Sequence, residues 1–493
     1  MNKIGKIRSL VTLLILCCCF TISYSQEFES KLGGLVEGNI GDPLIVTSDG
    51  VTVFAVCDYA SYSIYLSAYN ENHKPLYVRK KLNFSKKEVT ENVFNFMSDV
   101  RALYYKPGVR PIPIIAGIFQ NNNSIFFNLS SKKHSYAIEV DYRNGTIVTE
   151  TEKEYLGAYI SEGREYNLAK TKYVKIVSSE IDKDSKQRKL VIYDLNNKIV
   201  DECALPKDFY AYSFLRFERD QVFIAKFLEN TLQVIKYDTE SKKITSKYVA
   251  LERRNEKKDY SKEFIVFSKD GKSLVAYWED YDKTGDKKRV LYASISTDDL
   301  INSEVKELSY AIRDQYLDSY NLKLKDPKFL QIVSNNSGNT LGMSIPYDHI
   351  NSATPIISFS CHNLKGEELY SFAYKFKVRA EDHDVFFENV IPLSLNNKHI
   401  VFLNNIAENF NLRIEDKTKK VITRMGQKPI AIELDEKGNT SQYYVFGTKE
   451  NQDESSYIEF KSSYFDKKTN TLVATMYIDS YLGNSKPVWI KLK

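Results

Sequence analysis

The chain has 493 residues, 43% of them hydrophobic and 27% charged, which is enough apolar material for a large core and far from the composition of a disordered chain. The formal charge of +5 shrinks further once the basic N-terminal leader is set aside, so there is no electrostatic reason to expect a nucleic acid or an anionic membrane surface as partner. The 35 Tyr and 27 Phe, beside 20 Gly, 12 Pro and 2 Trp, favour strands.

The first predicted element is an export signal at residues 1–25. Lys3, Lys6 and Arg8 precede an apolar run from Leu10 to Ile22 that is too short to span a bilayer, and Ser23 and Ser25 supply small residues for signal peptidase. A lipobox is not matched, because Leu or Cys precedes each of Cys17, Cys18 and Cys19. The mature chain is expected to start at Gln26, to have no transmembrane segment, and to be periplasmic, cell-surface or extracellular. Its remaining Cys57, Cys203 and Cys361 are too few for a disulfide framework and read as buried free thiols.

Residues 26–493 read as one all-β domain. One hairpin recurs, with period-two strings on either side of a polar turn: IYLSAYNENHKPLYV from Ile64, AIEVDYRNGTIV at 137–148, LVIYDLNNKIV at 190–200, LQVIKYDTESKKI at 232–244, IISFSCHNLKGEELY from Ile356 and IAIELDEKGNTSQYYV from Ile430. Asn144-Gly145 supplies residues that tolerate a tight hairpin turn. A second hairpin, with Gly in its turn, precedes some of these at 47–56, 267–278 and 334–345.

Joined, the two hairpins make a four-stranded meander. Its open edges and bare face are relieved by radial stacking, so the expected fold is a single β-propeller of about seven or eight four-stranded blades. Taking Asn70, Asp141, Asp194, Asp238, Asn363, Asp435 and Asp466 as blade marks gives irregular intervals, part of which helical insertions explain.

One helix is expected over 85–104. Ser85 and Glu88 form a capping box, Val89, Val93, Met97 and Val100 keep helical spacing, and Pro107-Gly108 stops it. A second is expected over 303–320. The last unit, from Tyr457, shows only three strands, and the segment before Pro43, around KLGGLVEGN, is the candidate for the fourth. That would close the ring without a covalent bond.

FSKDGKSLVAYW at 267–278 resembles the FSPDGK-type repeat of TolB-like propellers, with Lys269 in place of the family's Pro, and VIKYDTESKKIT at 234–245 resembles the inner hairpin of such blades. The resemblance implies a scaffold whose relatives bind proteins, peptides or sugars, or sit in front of a hydrolase domain.

The inventory for chemistry is thin. The six His form no HExxH, and residues 26–493 contain no CxxC, so neither a metal nor a cofactor is expected and no catalytic residue is assigned. The string Gly342-Met343-Ser344-Ile345-Pro346 lacks the second Gly of a nucleophile elbow, and Ser344 reads as a strand hydroxyl. Asp280, Asp282 and Asp286 resemble the start of a calcium loop, but Leu291 stands where a bidentate Glu is needed, and the stretch reads as a solvated turn. Glu381-Asp382-His383-Asp384 reads as a solvated loop rather than an acid–base group. Tyr59, Tyr62, Tyr65 and Tyr69 either make a stacking platform or pack between blades, and packing is preferred.

Two functions follow: an exported, non-catalytic propeller binding a protein or other extracellular ligand on one face, or a secreted hydrolase or lyase acting on polysaccharide or peptide at the central mouth. Three or more Asp, Glu, Tyr or His converging on the axis would favour turnover, and an exposed aromatic patch on one face would favour binding.

Overall fold

A computed structural model describes residues 27–493 apart from 59–60, 86–88, 90–92, 94–114, 131–133, 155–163, 183–184, 207–208, 210–213, 229–230, 252–262, 282–287, 303–304, 319–326, 347–355, 376–388, 407–426, 447–455 and 479–483. The expected leader and the Glu381–Asp384 stretch lie outside the described residues.

Eight antiparallel sheets follow one another along the chain. Seven are four-stranded meanders, blades 1 to 7, at 42–81, 115–154, 164–204, 214–250, 263–307, 327–375 and 391–444. The first strand of one blade meets the first strand of the next: Asp42–Val46 lies against Ile115–Asn121, Arg164–Tyr166 against Phe214–Glu218, and Pro327–Ser334 against both Glu263–Phe267 and Ile391–Leu395. First strands therefore surround a common axis. Fourth strands such as Ile199–Ala204 and Lys243–Ala250 form the largely exposed rim. The chain is an eight-bladed β-propeller.

Period-two alternation builds the joints between blades. In the second strand of blade 5, Ser273–Tyr281, the side chains of Leu274, Ala276 and Trp278 pack with Phe223, Ala225 and Val234 of blade 4. The intervening Val275 and Tyr277 pack with Ile332 and Leu364 of blade 6. One strand thus serves two cores, and each large side chain removed from water contributes roughly 1.5–3 kcal/mol. Blade 4 repeats the device, with Val222 and Ile224 turned toward blade 3 and Phe223 and Ala225 toward blade 5.

The Asx marks are explained by turn chemistry. Oδ1 of Asn70, Asp194, Asn363 and Asp435 each accepts the backbone N–H groups two and four residues on. The residue three on, His73, Asn197, Gly366 or Gly438, then has positive φ. These turns join third to fourth strands, so the hairpin at 234–245 is an outer one, not the inner hairpin that the resemblance implied. Blade 5 carries no mark, because its fourth strand is reduced to Lys306–Glu307. Asp466 lies in a first-to-second-strand turn. Both facts break the regular interval and hid the eighth blade.

The ring closes as expected, by the first strand of the described residues. In blade 8, Ser456–Ile458 and Tyr464–Asp466 both pair with Thr471–Ile478, followed by Ser485–Leu492 and then by Phe28–Leu32 as the outermost strand. The closing strand starts three residues before KLGGLVEGN and takes in its Lys31 and Leu32, and Phe28 is its buried anchor between blades 7 and 8. On the other side of blade 8, Trp489 packs with Phe54 and Tyr69 of blade 1.

Of the two expected helical insertions, the second is shorter than expected, and most of the first lies outside the described residues. Of 85–104, only Ser85, Val89 and Val93 are described. The two Val are helical and buried between blades 1 and 2, whereas Ser85 Oγ donates to Glu150 Oε2 at 2.9 Å. Within 303–320 the helix runs over Ala311–Asp318. The Glu368 carboxylate of blade 6 accepts its Ile312 and Arg313 N–H groups at 2.8 and 3.1 Å, supplying an N-terminal cap from another element. No helix among the described residues is long and apolar enough to cross a membrane.

Tyr usage is largely a matter of packing. Tyr69 lies 5.8 Å from the Phe54 ring, Tyr65 lies under the Arg79 guanidinium at 4.9 Å, and Tyr62 is exposed. Tyr59 is outside the described residues. Tyr77 of blade 1 donates to Tyr142 O of blade 2, and Tyr292 of blade 5 donates to Leu364 O of blade 6.

Candidate functional site

First strands place their side chains on the axis without regard to sequence distance, so charged residues remote in the chain converge there. At the end where first strands turn into second strands, a cavity of about 260 Å³ is lined from blades 1, 2, 3, 4 and 8. Glu165 of blade 3 is part of its wall. Its Oε1 lies 2.9 Å from Lys467 Nζ of blade 8 and 3.5 Å from Arg216 Nη1 of blade 4. Arg216 also grips Glu218 Oε2 through Nε at 3.2 Å and Nη2 at 3.0 Å. Its guanidinium lies 5.6 Å from the Phe267 ring of blade 5.

Behind this group, buried Lys170 pairs with Asp466, donates to Val46 O and lies 5.4 Å from the Tyr464 ring. Lys468 Nζ donates to Ser48 O at 2.7 Å. The Tyr166 hydroxyl accepts from Gln120 N at 2.6 Å and donates to Gln120 O at 3.1 Å. Burial pushes the Glu165 carboxyl up to about 7, with Arg216 opposing. Burial lowers the Lys170 ammonium, with Asp466 opposing. Burial and the two cations thus act in opposite directions on Glu165, burial favouring its neutral form and Arg216 its charged one.

A second carboxylate pair is formed by Asp42, at the start of the first strand of blade 1, and Glu459, just after the strand Ser456–Ile458 of blade 8. Asp42 is exposed to water, yet its carboxyl is pushed up to about 6, first by surrounding protein and then by Glu459. Glu459 Oε1 lies 3.3 Å from Lys461 Nζ.

The residues considered from sequence go elsewhere. Ser344 is buried in the second strand of blade 6, where its Oγ lies 2.7 Å from Ser358 Oγ. Asp280 is not in a solvated turn. It and Glu279 are buried at the end of Ser273–Tyr281, and Arg289 Nε and Nη2 hold Asp280 Oδ2 at 2.9 and 2.6 Å. The alternation of that strand continues two residues further than the run of charges implies. Asp282 and Asp286 are outside the described residues.

Cys57, Cys203 and Cys361 are free, Cys361 fully buried and the other two half-buried. Burial pushes all three thiols up to about 12, which withholds thiolate chemistry at neutral pH. His362 and His399 are buried, and burial lowers them to about 4 and about 3.

Glu165, Tyr166, Glu218 and Tyr464 thus meet the geometric condition set for turnover, whereas Tyr62 and Tyr248 are the only aromatics among the exposed large hydrophobics of the described residues. The bonding differs from the geometry: Arg216 chelates Glu218, and the Tyr166 hydroxyl is committed to the Gln120 backbone. Sequence reading missed the whole group. A lone Glu, Arg or Lys in a strand or turn carries no local signal of axial convergence.

No protein-family model matches the chain, and no curated protein matches it. Among solved structures it is similar to an acylaminoacyl peptidase of Pyrococcus horikoshii, at 9% identity and TM-score 0.35, over 90% of this chain and 57% of that one. It is similar to the Dos1 propeller at 10% identity and TM-score 0.40, over 93% and 94% of the two chains. It is also similar to the polysaccharide lyase Uly1 at 9% identity and TM-score 0.39, over 80% and 95%. The chain spans a little over half the length of the peptidase. The propeller assignment rests on the order of the sheets and the joints between them, and no activity is taken from these likenesses.

Proposed function

We propose that this chain is an exported ligand-binding propeller of the TolB-like kind, working in the periplasm, at the cell surface or outside the cell, and holding its ligand at the axial mouth. The leader-like residues 1–25 and the FSKDGK string support export and kinship. The observation that carries the binding reading is the 260 Å³ cavity built from five blades around Glu165, Arg216 and Lys467. It is a concave site with a few convergent polar groups, of a size for a small molecule or the end of a larger one. The test is capture from envelope extract with the purified chain. Retention of a partner should be lost in Arg216→Met and kept in the rim variant Tyr248→Ser; equal retention by both would move the site off the axis.

Glu165 also favours a second reading, a hydrolase or lyase, because a carboxyl at about 7 suits general acid–base work. Binding is preferred because glycoside hydrolysis uses two carboxyl groups in complementary roles, and here Glu218 is ion-paired with Arg216, whose Nε and Nη2 both donate to its Oε2. Turnover of a polysaccharide or peptide mixture that disappears in Glu165→Gln would replace this preference.

A further inference from the structure

The Glu165 carboxylate occupies a place that an outside carboxylate would fit. Arg216 and Lys467 approach it from blades on different sides of the cavity, at 3.5 and 2.9 Å. Lys467 is half exposed, and the Arg216 contact is long for a charge-assisted hydrogen bond. The remaining charges at the mouth are paired among themselves: Arg216 Nε and Nη2 with Glu218, and Lys170 with Asp466. Lys468 is turned to Ser48 O. Glu165 thus takes cations from two other blades, Lys467 at hydrogen-bond distance and half exposed, and Arg216 at a longer distance with its remaining donors on Glu218.

We infer that the axial mouth takes the carboxylate of a small ligand into the position that the Glu165 carboxylate holds between Arg216 and Lys467. The inference deepens the proposed function and rests on its placement of the ligand. Two carboxylates cannot share the two cations without repulsion, so entry requires Glu165 to be neutral. No covalent step is involved: one proton comes from solvent to Glu165, and one anion enters. The facing groups do not supply that proton at neutral pH, because Lys170 is ion-paired, the Tyr166 hydroxyl is bonded to Gln120, and burial raises the Tyr464 phenol.

The sign follows from the Glu165 value of about 7. Below it the site is already neutral and binding is strongest; above it each carboxylate bound takes up one proton, and affinity falls about tenfold per pH unit. The cavity volume fits a sugar acid or a short peptide end, and the carboxylate is common to both.

The test is titration calorimetry of the full chain with glucuronate and, separately, with N-acetyl-glycylglycine, in phosphate and in Tris, from pH 6 to pH 8.5. At least one probe should bind about thirty-fold more weakly at pH 8.5 than at pH 6, with about one proton taken up at the higher pH. Glu165→Gln should bind as tightly at pH 8.5 as at pH 6, and Lys467→Met should bind at least about tenfold more weakly at pH 6. Which probe binds assigns the source of the carboxylate. Failure of both to bind the wild type and Glu165→Gln at pH 6, or affinity independent of pH in the wild type, overturns the inference. Either result leaves capture at the axial mouth standing for an uncharged ligand, whereas extract capture that ignores Arg216→Met removes the mouth itself.

Discussion

The ring of Tyr292 lies directly beneath Gly366, so close that a Cβ added to the glycine would come within 2.2 Å of it. Gly366 sits at φ +77 in the outer turn of blade 6, and Tyr292 belongs to blade 5. The Tyr292 hydroxyl donates to Leu364 O in the same turn, so one phenol joins two blades by its face and by its tip. Gly438 repeats the relationship over Tyr370, between blades 7 and 6.

Gly366→Ala is therefore expected to destabilise the protein by about 2–4 kcal/mol, combining the positive-φ cost with an overlap that only movement of a packed ring relieves. Urea denaturation at neutral pH measures it. A loss below about 1 kcal/mol would mean that the turn can shift away from Tyr292 freely.

Phe28→Ala should loosen the closing strand of the ring. The side chain is buried between blades 7 and 8, 5.5 Å from the Phe402 ring, and its removal is expected to cost about 3–5 kcal/mol. Trp278→Phe leaves Trp489 as the sole tryptophan of the chain. In that background, deletion of 27–32 should redden and expose Trp489 emission. Unchanged quenching by iodide would show that the strand does not seal this joint.

Acid should weaken the fold through two histidines. His362 and His399 titrate at about 4 and about 3 when folded, burial being the first cause in each, against about 6.5 when unfolded. Between those values the unfolded chain binds more protons. Stability is thus full above about pH 6.5 and is lost as pH falls toward 4 and 3, by about 1.4 kcal/mol per pH unit for each group. His399→Gln should flatten that slope. Denaturant midpoints at pH 5 and pH 7 decide, and a wild-type slope unchanged by the substitution would place the acid sensitivity elsewhere.

Asp280→Asn removes the carboxylate charge that faces the buried Arg289 guanidinium and is expected to cost about 3–5 kcal/mol, whereas the double replacement Asp280→Leu with Arg289→Met should recover most of it. Thermal melts of the three proteins check this. If the single variant is as stable as the wild type, the pair does not hold the end of blade 5.

Much of the architecture was legible because it is written locally. An Asx residue that gathers the N–H groups two and four positions on must sit in a turn, so Asn70, Asp194, Asn363 and Asp435 marked their blades. Blade 5 escaped because the signal depends on a full fourth strand, and Lys306–Glu307 is a remnant. The closing strand was placed only approximately, since FESKL buries Phe28 alone and shows no alternation to read. Glu165, Arg216 and Lys467 were invisible for another reason. Their meeting is a product of ring geometry, linking blades 3, 4 and 8, and no window of sequence contains it.

The hydrogen-bonded joint between Phe28–Leu32 and Ser485–Leu492 makes the order of synthesis matter. Phe28–Leu32 waits without this partner until Ser485–Leu492 has been translated, and the blades between them are built in the meantime. A product cut short by a stalled ribosome or a frameshift would leave Phe28 in water and the flank of blade 7 uncovered, offering proteases a ready foothold. Closure of the ring in this way depends on both partners of the joint having been made.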